Sequence, residues 1–132
     1  MKVSEVMSKA VVIDEDITLR QAAKIMSKKN IANVVVIKDG KISGYISERD
    51  VLINLSNLDK PLKNYMSKEV ITISADAKIS EAGKIMVERK VKRLPVVKNG
   101  KLVGAISFRD VIKNLENEKG NGDNSEGDFF LN

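Results

Sequence analysis

The sequence contains no cysteine and no histidine among its 132 residues. Without cysteine the chain can form neither a disulfide nor a thiolate metal site, and without histidine it lacks the commonest metal ligand and general base. Aspartate, glutamate, lysine and serine remain, but no pairing of a nucleophile with a base is visible. These absences exclude most hydrolases and metalloenzymes, so we expect no catalysis, no catalytic cofactor and no metal.

Long apolar runs and aromatic residues are also scarce. No apolar run approaches the length of a membrane span and no signal-like leader opens the sequence, so we expect a cytoplasmic protein without membrane association. Aromatic residues make up 4% of the chain, which implies an aliphatic core and leaves no obvious platform for stacking nucleic-acid bases. The net charge of +5 favours anionic partners, but the basic residues are scattered, which disfavours nucleic acid.

A duplication organises what the sequence does contain. Gly44–Asp50 and Gly104–Asp110 both read Gly-x-Ile-Ser-x-Arg-Asp, and their offset is 60 residues (104 − 44). Other positions repeat with the same offset, which identifies an internal repeat. Because one half alone would leave much of its apolar surface uncovered, we expect the two halves to pack about a pseudo-two-fold axis.

Each copy of the motif predicts a strand that ends at the serine and a helix whose first turn contains the aspartate. Ser-x-x-Asp is close to a capping box, in which both side chains serve the end of the helix. The same corner would suit a phosphate, because unpaired N–H groups and the positive end of the helix dipole point outward there. Capping requires neither the repeated glycine nor the repeated arginine, so we expect binding as well.

Hydrophobic periodicity predicts an α+β fold with three short strands and two helices in each half. The first half is predicted to contain a lead-in helix at 2–9, a strand at 11–13, a helix that begins at 19 after a Thr18–Gln21 capping box and has Lys28 and Lys29 near its end, a hairpin turning at Asp39-Gly40, and a helix at 50–55. The second half repeats the pattern with a strand at 70–73, a helix at 79–86 and a hairpin turning at Asn99-Gly100. The predicted domains are residues 1–58 and 59–115, followed by a tail at 116–132.

The tail differs in composition from the repeats. Residues 116–128 are rich in Asn, Glu, Gly, Lys and Asp, too polar to offset the entropy of folding, so we expect disorder. Phe129, Phe130 and Leu131 follow as an apolar cluster. That cluster is either incidental or a hook onto a neighbouring subunit or partner.

This tandem β-α-β-β-α pattern, with Val-x-x-Met before the first strand and Gly-x-Ile-Ser-x-x-Asp before the last helix, resembles a pair of cystathionine β-synthase (CBS) domains, or Bateman module. The resemblance covers residues 2–115, and its most specific parts are the two motifs and residues 92–97. It implies clefts between the repeats that bind a regulatory adenosyl ligand: AMP, ADP, ATP or S-adenosylmethionine. It also implies a flat homodimer formed through helices, where the following residues would serve as contacts or as core: Ile25, Met26, Ile85 and Met86.

The resemblance assigns roles residue by residue. Asp50 and Asp110 correspond to the family's ribose-binding aspartates. Ser47 and Ser107 correspond to its hydroxyl contacts with phosphate or ribose, and Arg49 and Arg109 correspond to its basic phosphate contacts. One site would join Ser47 and Asp50 to Val70, Ile71 and the segment Arg93, Leu94 and Pro95. Its twin would join Ser107 and Asp110 to Ala10, Val11, Asn33 and Val34. Lys92 and Arg93 would contact phosphate, and the sequence leaves open which of the two sites they serve. Because Lys92 and Arg93 replace Ala32 and Asn33, we expect the two sites to differ in affinity or ligand.

Three functions are therefore considered. The first is an adenosyl-ligand sensor that signals through a conformational or assembly change, to a separate effector protein or within a homodimer. The second is a scaffold or dimerisation module whose clefts are vestigial. The third is nucleic-acid binding, which the scattered basic residues support least.

Overall fold

The computed structural model describes the backbone of residues 1–118 and the side chains of residues 1–115. The helices and strands follow one another in this order: α1 (Val3–Val6), β1 (Val12–Asp14), α2 (Leu19–Lys29), β2 (Asn33–Lys38), β3 (Lys41–Ser47), α3 (Glu48–Leu52), β4 (Ile73–Ser74), α4 (Ile79–Arg89), β5 (Arg93–Lys98), β6 (Lys101–Ser107) and α5 (Phe108–Glu118). Short 3₁₀ turns lie at Leu55–Asn57 and Leu62–Asn64. Within the described part of the chain, no helix is both long enough and apolar enough to cross a bilayer.

The strands form two three-stranded sheets, with orders β1-β2-β3 and β4-β5-β6. In the first sheet, β1 pairs with β2 in parallel, and β2 pairs with β3 as an antiparallel hairpin. In the second, β4 pairs with β5 in parallel. The predicted α+β class and the repeated β-α-β-β-α order are therefore confirmed, whereas pseudo-two-fold packing stays a prediction.

Both hairpins turn where the sequence predicts. Asp39 and Gly40 have φ angles of 52° and 80°, and Asn99 and Gly100 have φ angles of 52° and 78°. Consecutive positive φ angles define a primed turn, whose twist matches that of the flanking strands. The Asp-Gly and Asn-Gly pairs thus set the hairpin register by local chemistry.

Helix α2 begins with the predicted capping box. The Gln21 amide donates to Thr18 Oγ1 at 3.1 Å, and the Thr18 amide donates to Gln21 Oε1 at 2.8 Å. The apolar stripe of α2 is buried in a cluster made of Ile13, Leu19, Ala22, Met26, Val34, Val36, Ile46 and Leu62. Met26 and its counterpart Met86 are only 4% and 2% exposed, so they are core residues of their own units and not surface contacts for a dimer.

The compact units do not coincide with the predicted domains 1–58 and 59–115. One unit contains residues 10–71 and 99–102, and the other contains residues 1–9, 72–98 and those from 103 onwards. The lead-in helix α1 therefore packs in the unit of the second repeat, where Val3 is fully buried and its amide donates to Ala77 O at 2.8 Å. Residues 61–67 form the corresponding lead-in segment in the unit of the first repeat, where the Leu62 amide donates to Ile17 O at 2.9 Å.

Several predicted boundaries move. The second short strand is Ile73–Ser74 and not 70–73, because only these residues pair with β5, at Val96 and Val97. Helix α1 is shorter than 2–9, and α3 covers 48–52 and not 50–55. Helix α5 continues through residues 116–118, which the sequence predicts as the start of the disordered tail. Residues 119–132, including the apolar cluster at 129–131, lie outside the described residues.

Candidate ligand-binding corners

The first-repeat corner is the junction of β3 and α3, Ser47–Asp50. The Ser47 amide and hydroxyl both donate to Asp50 Oδ2, at 2.8 and 2.9 Å. The Asp50 amide donates back to Ser47 Oγ at 3.2 Å. These bonds form a complete capping box, so the serine and the aspartate fix each other at the start of the helix.

The second-repeat corner, Ser107–Asp110 at the junction of β6 and α5, has the same arrangement. The Ser107 amide donates to Asp110 Oδ2 at 3.0 Å, and the Asp110 amide donates to Ser107 Oγ at 3.1 Å. Asn54 and Asn114 extend the likeness, since each side-chain amide donates to the carbonyl of the corner aspartate, at 2.7 and 2.8 Å. The duplication thus preserves hydrogen-bonding geometry as well as sequence.

Most of the backbone N–H groups at the starts of α3 and α5, which the sequence predicts to be free for a phosphate, donate to acceptors within the protein. Besides the capping bonds, the Glu48 amide donates to Ala32 O and the Phe108 amide donates to Lys92 O, both at 2.8 Å. Within residues 1–115, no acceptor lies within hydrogen-bond distance of the first-turn amides of Arg49 and Arg109. The prediction of unpaired N–H groups at the helix start therefore holds only for these two amides, because loop carbonyls and the capping serines accept the others.

Each corner aspartate keeps one free carboxylate oxygen. Oδ2 accepts the capping bonds, while Oδ1 of Asp50 and Asp110 accepts no hydrogen bond from any described residue. Both aspartates are half-buried. A carboxylate held by its own helix cap, with one oxygen available, is a preorganised acceptor for hydroxyl groups.

The basic residues at the corners are exposed. Arg49 and Arg109 lie on the helix surface, and neither forms an ion pair with a described residue. Lys92 and Arg93 are exposed too, and the bond from Phe108 to Lys92 O places them beside the second-repeat corner. The first repeat has Ala32 in that place, so the second corner has the more basic border.

The repeated glycine has a packing role that the sequence did not indicate. A Cβ on Gly44 would collide with Ser67 O and would lie 2.9 Å from Met66 Sδ. A Cβ on Gly104 would lie 2.9 Å from Ser8 O and 2.8 Å from Met7 Sδ. Each glycine therefore lets a lead-in segment cross a strand closely, with paired backbone bonds between Tyr45 and Ser67 and between Ala105 and Ser8.

The remaining predicted site residues are divided between the units. Ala10, Val11, Asn33, Val34, Val70 and Ile71 lie in the unit that contains Ser47 and Asp50, whereas Lys92, Arg93, Leu94 and Pro95 lie with Ser107 and Asp110. Leu94 and Val34 are 1% and 4% exposed, so their side chains are core, and only their backbone could face a ligand. Both predicted combinations draw on the two units, and both stay predictions.

Ion pairs with shifted pKa values lie next to α2. The Lys38 ammonium donates to Asp16 at 2.8 Å, and this bond, with the charge of Lys38, lowers the pKa of Asp16. The Arg20 guanidinium lies 2.9 Å from Asp59 and lowers the pKa of that carboxyl in the same way. All four side chains are exposed, so these pairs are surface contacts of the fold.

Comparison with known proteins identifies the family. The model of the CBS domain matches residues 3–57 and 62–117, so the chain belongs to the CBS-domain family and holds two CBS domains in tandem. The chain is 41% identical over 115 residues to protein MJ1232 of Methanocaldococcus jannaschii, an alignment that covers 86% of this chain but 39% of that protein. This chain thus spans well under half of that relative's length.

Solved structures agree with this assignment. The CBS-domain containing protein ATU1752 from Agrobacterium tumefaciens aligns with a TM-score of 0.74 and 26% identity, covering 87% of this chain and 99% of that one. The CBS domain pair of protein MJ0100, solved in complex with 5'-methylthioadenosine and S-adenosyl-L-methionine, aligns with a TM-score of 0.72 and 25% identity. That alignment covers 90% of this chain and 98% of the other.

Proposed function

We propose that this chain is a regulatory module that binds an adenosyl ligand through Asp50, Asp110 or both. The observation that carries the proposal is the pair of corner carboxylates, each oriented by a capping box and each keeping one free oxygen. The complex of the MJ0100 domain pair with two adenosyl compounds supports this ligand class. AMP, ADP, ATP and S-adenosylmethionine are the candidates.

The proposed chemistry is binding without reaction. A carboxylate can accept hydrogen bonds from both ribose hydroxyls, as the acidic residue of dinucleotide-binding folds does. Arginine offers a planar fork of donors to a phosphate or carboxylate, which suits Arg49 and Arg109. The resemblance would place the base against Val70, Ile71 and the backbone of Leu94.

Regulation requires that the ligand bind two arrangements of the protein with different affinities, since equal affinity shifts no equilibrium. We propose that the favoured arrangement is read by a separate effector protein or by a second copy of this chain in a homodimer. A cytoplasmic location fits adenosyl ligands and is proposed on that ground.

A scaffold function is the second candidate, and one observation favours it. The capping boxes explain why serine and aspartate recur, and the close approach of the lead-in segments explains why glycine recurs. Among the polar and glycine positions of the repeated motif, only the two arginines are left without a structural role. If the corners serve folding alone, replacing the aspartates weakens two helix caps and changes no binding.

Calorimetric titration separates the two candidates. The full chain and an Asp50→Asn/Asp110→Asn variant are titrated with AMP, ADP, ATP, S-adenosylmethionine and 5'-methylthioadenosine. Asparagine keeps an acceptor oxygen for the cap but loses the charge that attracts ribose hydroxyls. The sensor predicts micromolar binding of at least one ligand and its loss in the variant.

The matched control is Gln21→Ala, which opens the α2 capping box at a place where no ligand is proposed. It should lower stability, because the Thr18 amide loses its acceptor, while leaving affinity unchanged. A folded chain that binds none of the five compounds would overturn the adenosyl proposal and favour the scaffold.

A further inference from the structure

The five methionines of the chain lie in different environments. Met1 is 42% exposed, whereas Met26 and Met86 are buried in the cores of their units, at 4% and 2%. Met7 and Met66 lie between these extremes, because both are half-buried in the lead-in segments. A small solute therefore has unequal access to thioethers that are chemically identical.

Each half-buried sulfur lies on a motif glycine. The position that a Cβ would take on Gly44 is 2.9 Å from Met66 Sδ and 3.1 Å from Met66 Cγ. On Gly104, the corresponding distances to Met7 are 2.8 and 3.1 Å. The thioether thus fills the space beside a glycine, where an unbranched and polarisable side chain packs well.

A pair of backbone hydrogen bonds closes each crossing beside the sulfur. Tyr45 and Ser67 exchange bonds of 2.9 Å, and Ala105 and Ser8 exchange bonds of 2.8 Å. The carbonyl oxygens of Ser67 and Ser8 border the same Cβ-sized gaps as the sulfurs. The amides of the crossings are therefore committed to each other, and each gap has an acceptor at its edge.

Oxidation makes the methionine side chain a poor occupant of such a gap. Methionine sulfoxide carries a polar oxygen that accepts hydrogen bonds, whereas Met66 packs against the apolar cluster around α2. The new oxygen can take an amide of the crossing only by breaking one of its bonds, and it reaches water only by leaving the gap. Either movement removes packing that holds the lead-in segment to its strand.

We propose that Met66 and Met7 are oxidation sites through which peroxide loosens the lead-in segments. A sulfur lone pair attacks one oxygen of hydrogen peroxide, and the S–O bond forms as the O–O bond breaks. The proton of the attacked oxygen passes to the departing hydroxide, so the products are methionine sulfoxide and water, with sulfur oxidised and peroxide reduced. Methionine sulfoxide reductases restore the thioether, which makes the change reversible.

The first crossing lies close to a candidate ligand-binding corner. Tyr45 precedes Ser47 by two residues on β3, so loosening of the crossing reaches toward that corner. If the proposed function also holds, oxidation of Met66 lowers the affinity of the corner for its ligand. The oxidation and the local loosening do not depend on that function.

Controlled oxidation of the full chain tests the order of reaction. The chain is treated with hydrogen peroxide under native conditions, and the methionine methyl signals report each sulfoxide as it forms. Met1 should react first, Met7 and Met66 next, and Met26 and Met86 last, because access to the thioether limits the reaction.

Amide exchange in the oxidised chain measures the consequence. Oxidation of Met66 should accelerate exchange at Tyr45 and Ser67 by about tenfold, which corresponds to the loss of one hydrogen bond. The Ala22 amide, which donates to Thr18 O at the start of α2, should stay protected. Treatment with a methionine sulfoxide reductase should restore slow exchange at the crossing.

Met66→Leu and Met7→Leu, made singly, are the matched variants. Leucine keeps the apolar bulk without the sulfur, so the altered crossing should not respond to peroxide while the other crossing still does. Norleucine in place of every methionine keeps the unbranched shape and is the second control, in case branching itself disturbs a crossing. Exchange in that chain should be the same with and without peroxide.

Sulfoxide at Met66 and Met7 with unchanged exchange at their crossings would overturn the proposal and leave the two sulfurs a packing role alone. Oxidation of these residues no faster than that of Met26 and Met86 would overturn it as well. Acceleration at Ala22 equal to that at Tyr45 would mean that peroxide unfolds the whole unit, which contradicts a local effect at the lead-in segment.

Discussion

In the first repeat, the Ser47–Asp50 corner opens a helix of five residues and is bordered by Ala32; in the second, the Ser107–Asp110 corner opens a helix of eleven and is bordered by Lys92. The capping bonds are nearly identical in the two corners, at 2.8 and 3.0 Å for the serine amides. What the repeats share is therefore the chemistry that starts a helix, and what separates them is the charge beside it. Differences in ligand binding should follow that charged border.

The largest expected effect is the loss of stability when the buried side chain of a lead-in segment is shortened. Leu62→Ala should lower the free energy of unfolding by about 2 to 5 kcal/mol, because Leu62 is fully buried in the core around α2. Val3→Ala removes fewer buried carbons from the other unit and should cost about 1.5 to 3 kcal/mol. Urea unfolding measures both.

Leu55→Ala is the control for this pair, since Leu55 is 59% exposed in the same connection as Leu62. Its effect should stay within about 0.5 kcal/mol. If Leu62→Ala were no worse than Leu55→Ala, the lead-in would not hold the first unit together.

A second comparison concerns the two motif glycines. A Cβ at either position meets a backbone carbonyl, but Ser67 O lies closer to the Cβ of Gly44→Ala than Ser8 O, at 2.9 Å, lies to that of Gly104→Ala. We expect Gly44→Ala to cost about 2 to 3 kcal/mol and Gly104→Ala about 1 to 2 kcal/mol. Amide exchange at Tyr45 and Ser67 should also accelerate, because their mutual 2.9 Å bonds would break.

Amide exchange at individual residues distinguishes a local disruption beside each glycine from a general loss of stability. In Gly104→Ala the fast-exchanging amides should be Ser8 and Ala105, with Tyr45 and Ser67 still protected. Equal costs for the two variants, with exchange unchanged at Tyr45, would show that the lead-in adjusts freely.

Short-range chemistry explains what could be predicted from the sequence. The hairpin turns at Asp39-Gly40 and Asn99-Gly100, the Thr18–Gln21 box and both corner boxes each depend on residues within four positions, so their types alone indicate the geometry. The family resemblance likewise needed only the order and spacing of such motifs. The free carboxylate oxygens of Asp50 and Asp110 follow from the same local bonds.

Long-range packing explains what could not be predicted. The contact of Val3 with Ala77 joins positions far apart in the chain, and neither residue has a distinctive neighbourhood. The repeat of Met7 at Met66 marked both segments as equivalent, but nothing in the sequence indicated which unit each of them joins. Residues 70–71 misled the strand prediction because apolar character alone does not show which residues pair.

A smaller effect is expected from the caps themselves. Ser47→Ala should cost about 0.5 to 2 kcal/mol, because the hydroxyl accepts the Asp50 amide and orients its carboxylate. In a helix as short as α3 the loss should also expose the bond from the Ile53 amide to Arg49 O, measured by amide exchange. Ser107→Ala should release less of α5, whose later turns do not depend on that cap.

Ser47→Thr keeps a capping hydroxyl and serves as the control. It should retain most of the stability and the protection of Ile53. Rapid exchange at Ile53 in the threonine variant would mean that crowding, and not the missing hydrogen bond, frays the helix.

The smallest expected effect is the pH dependence of the ion pair beside α2. Lys38 lowers the pKa of Asp16 in the folded chain, so this carboxylate stabilises the fold at pH values above its unfolded pKa, near 3.8. That contribution is lost as the pH falls through the lower folded pKa. Asp16→Asn should therefore flatten the acid limb of stability slightly, because both partners are exposed and salt screens them.

The second repeat provides the comparison for this ion pair. Asp76 lies 3.9 Å from Lys98 and 4.0 Å from Lys2, longer than the 2.8 Å between Asp16 and Lys38. Coulomb energy falls with distance, and only the shorter contact is a hydrogen bond, so Asp76→Asn should change stability less than Asp16→Asn at neutral pH. The difference should shrink in high salt. An equal loss in both variants would mean that the shorter contact contributes no more to stability in solution than the longer ones.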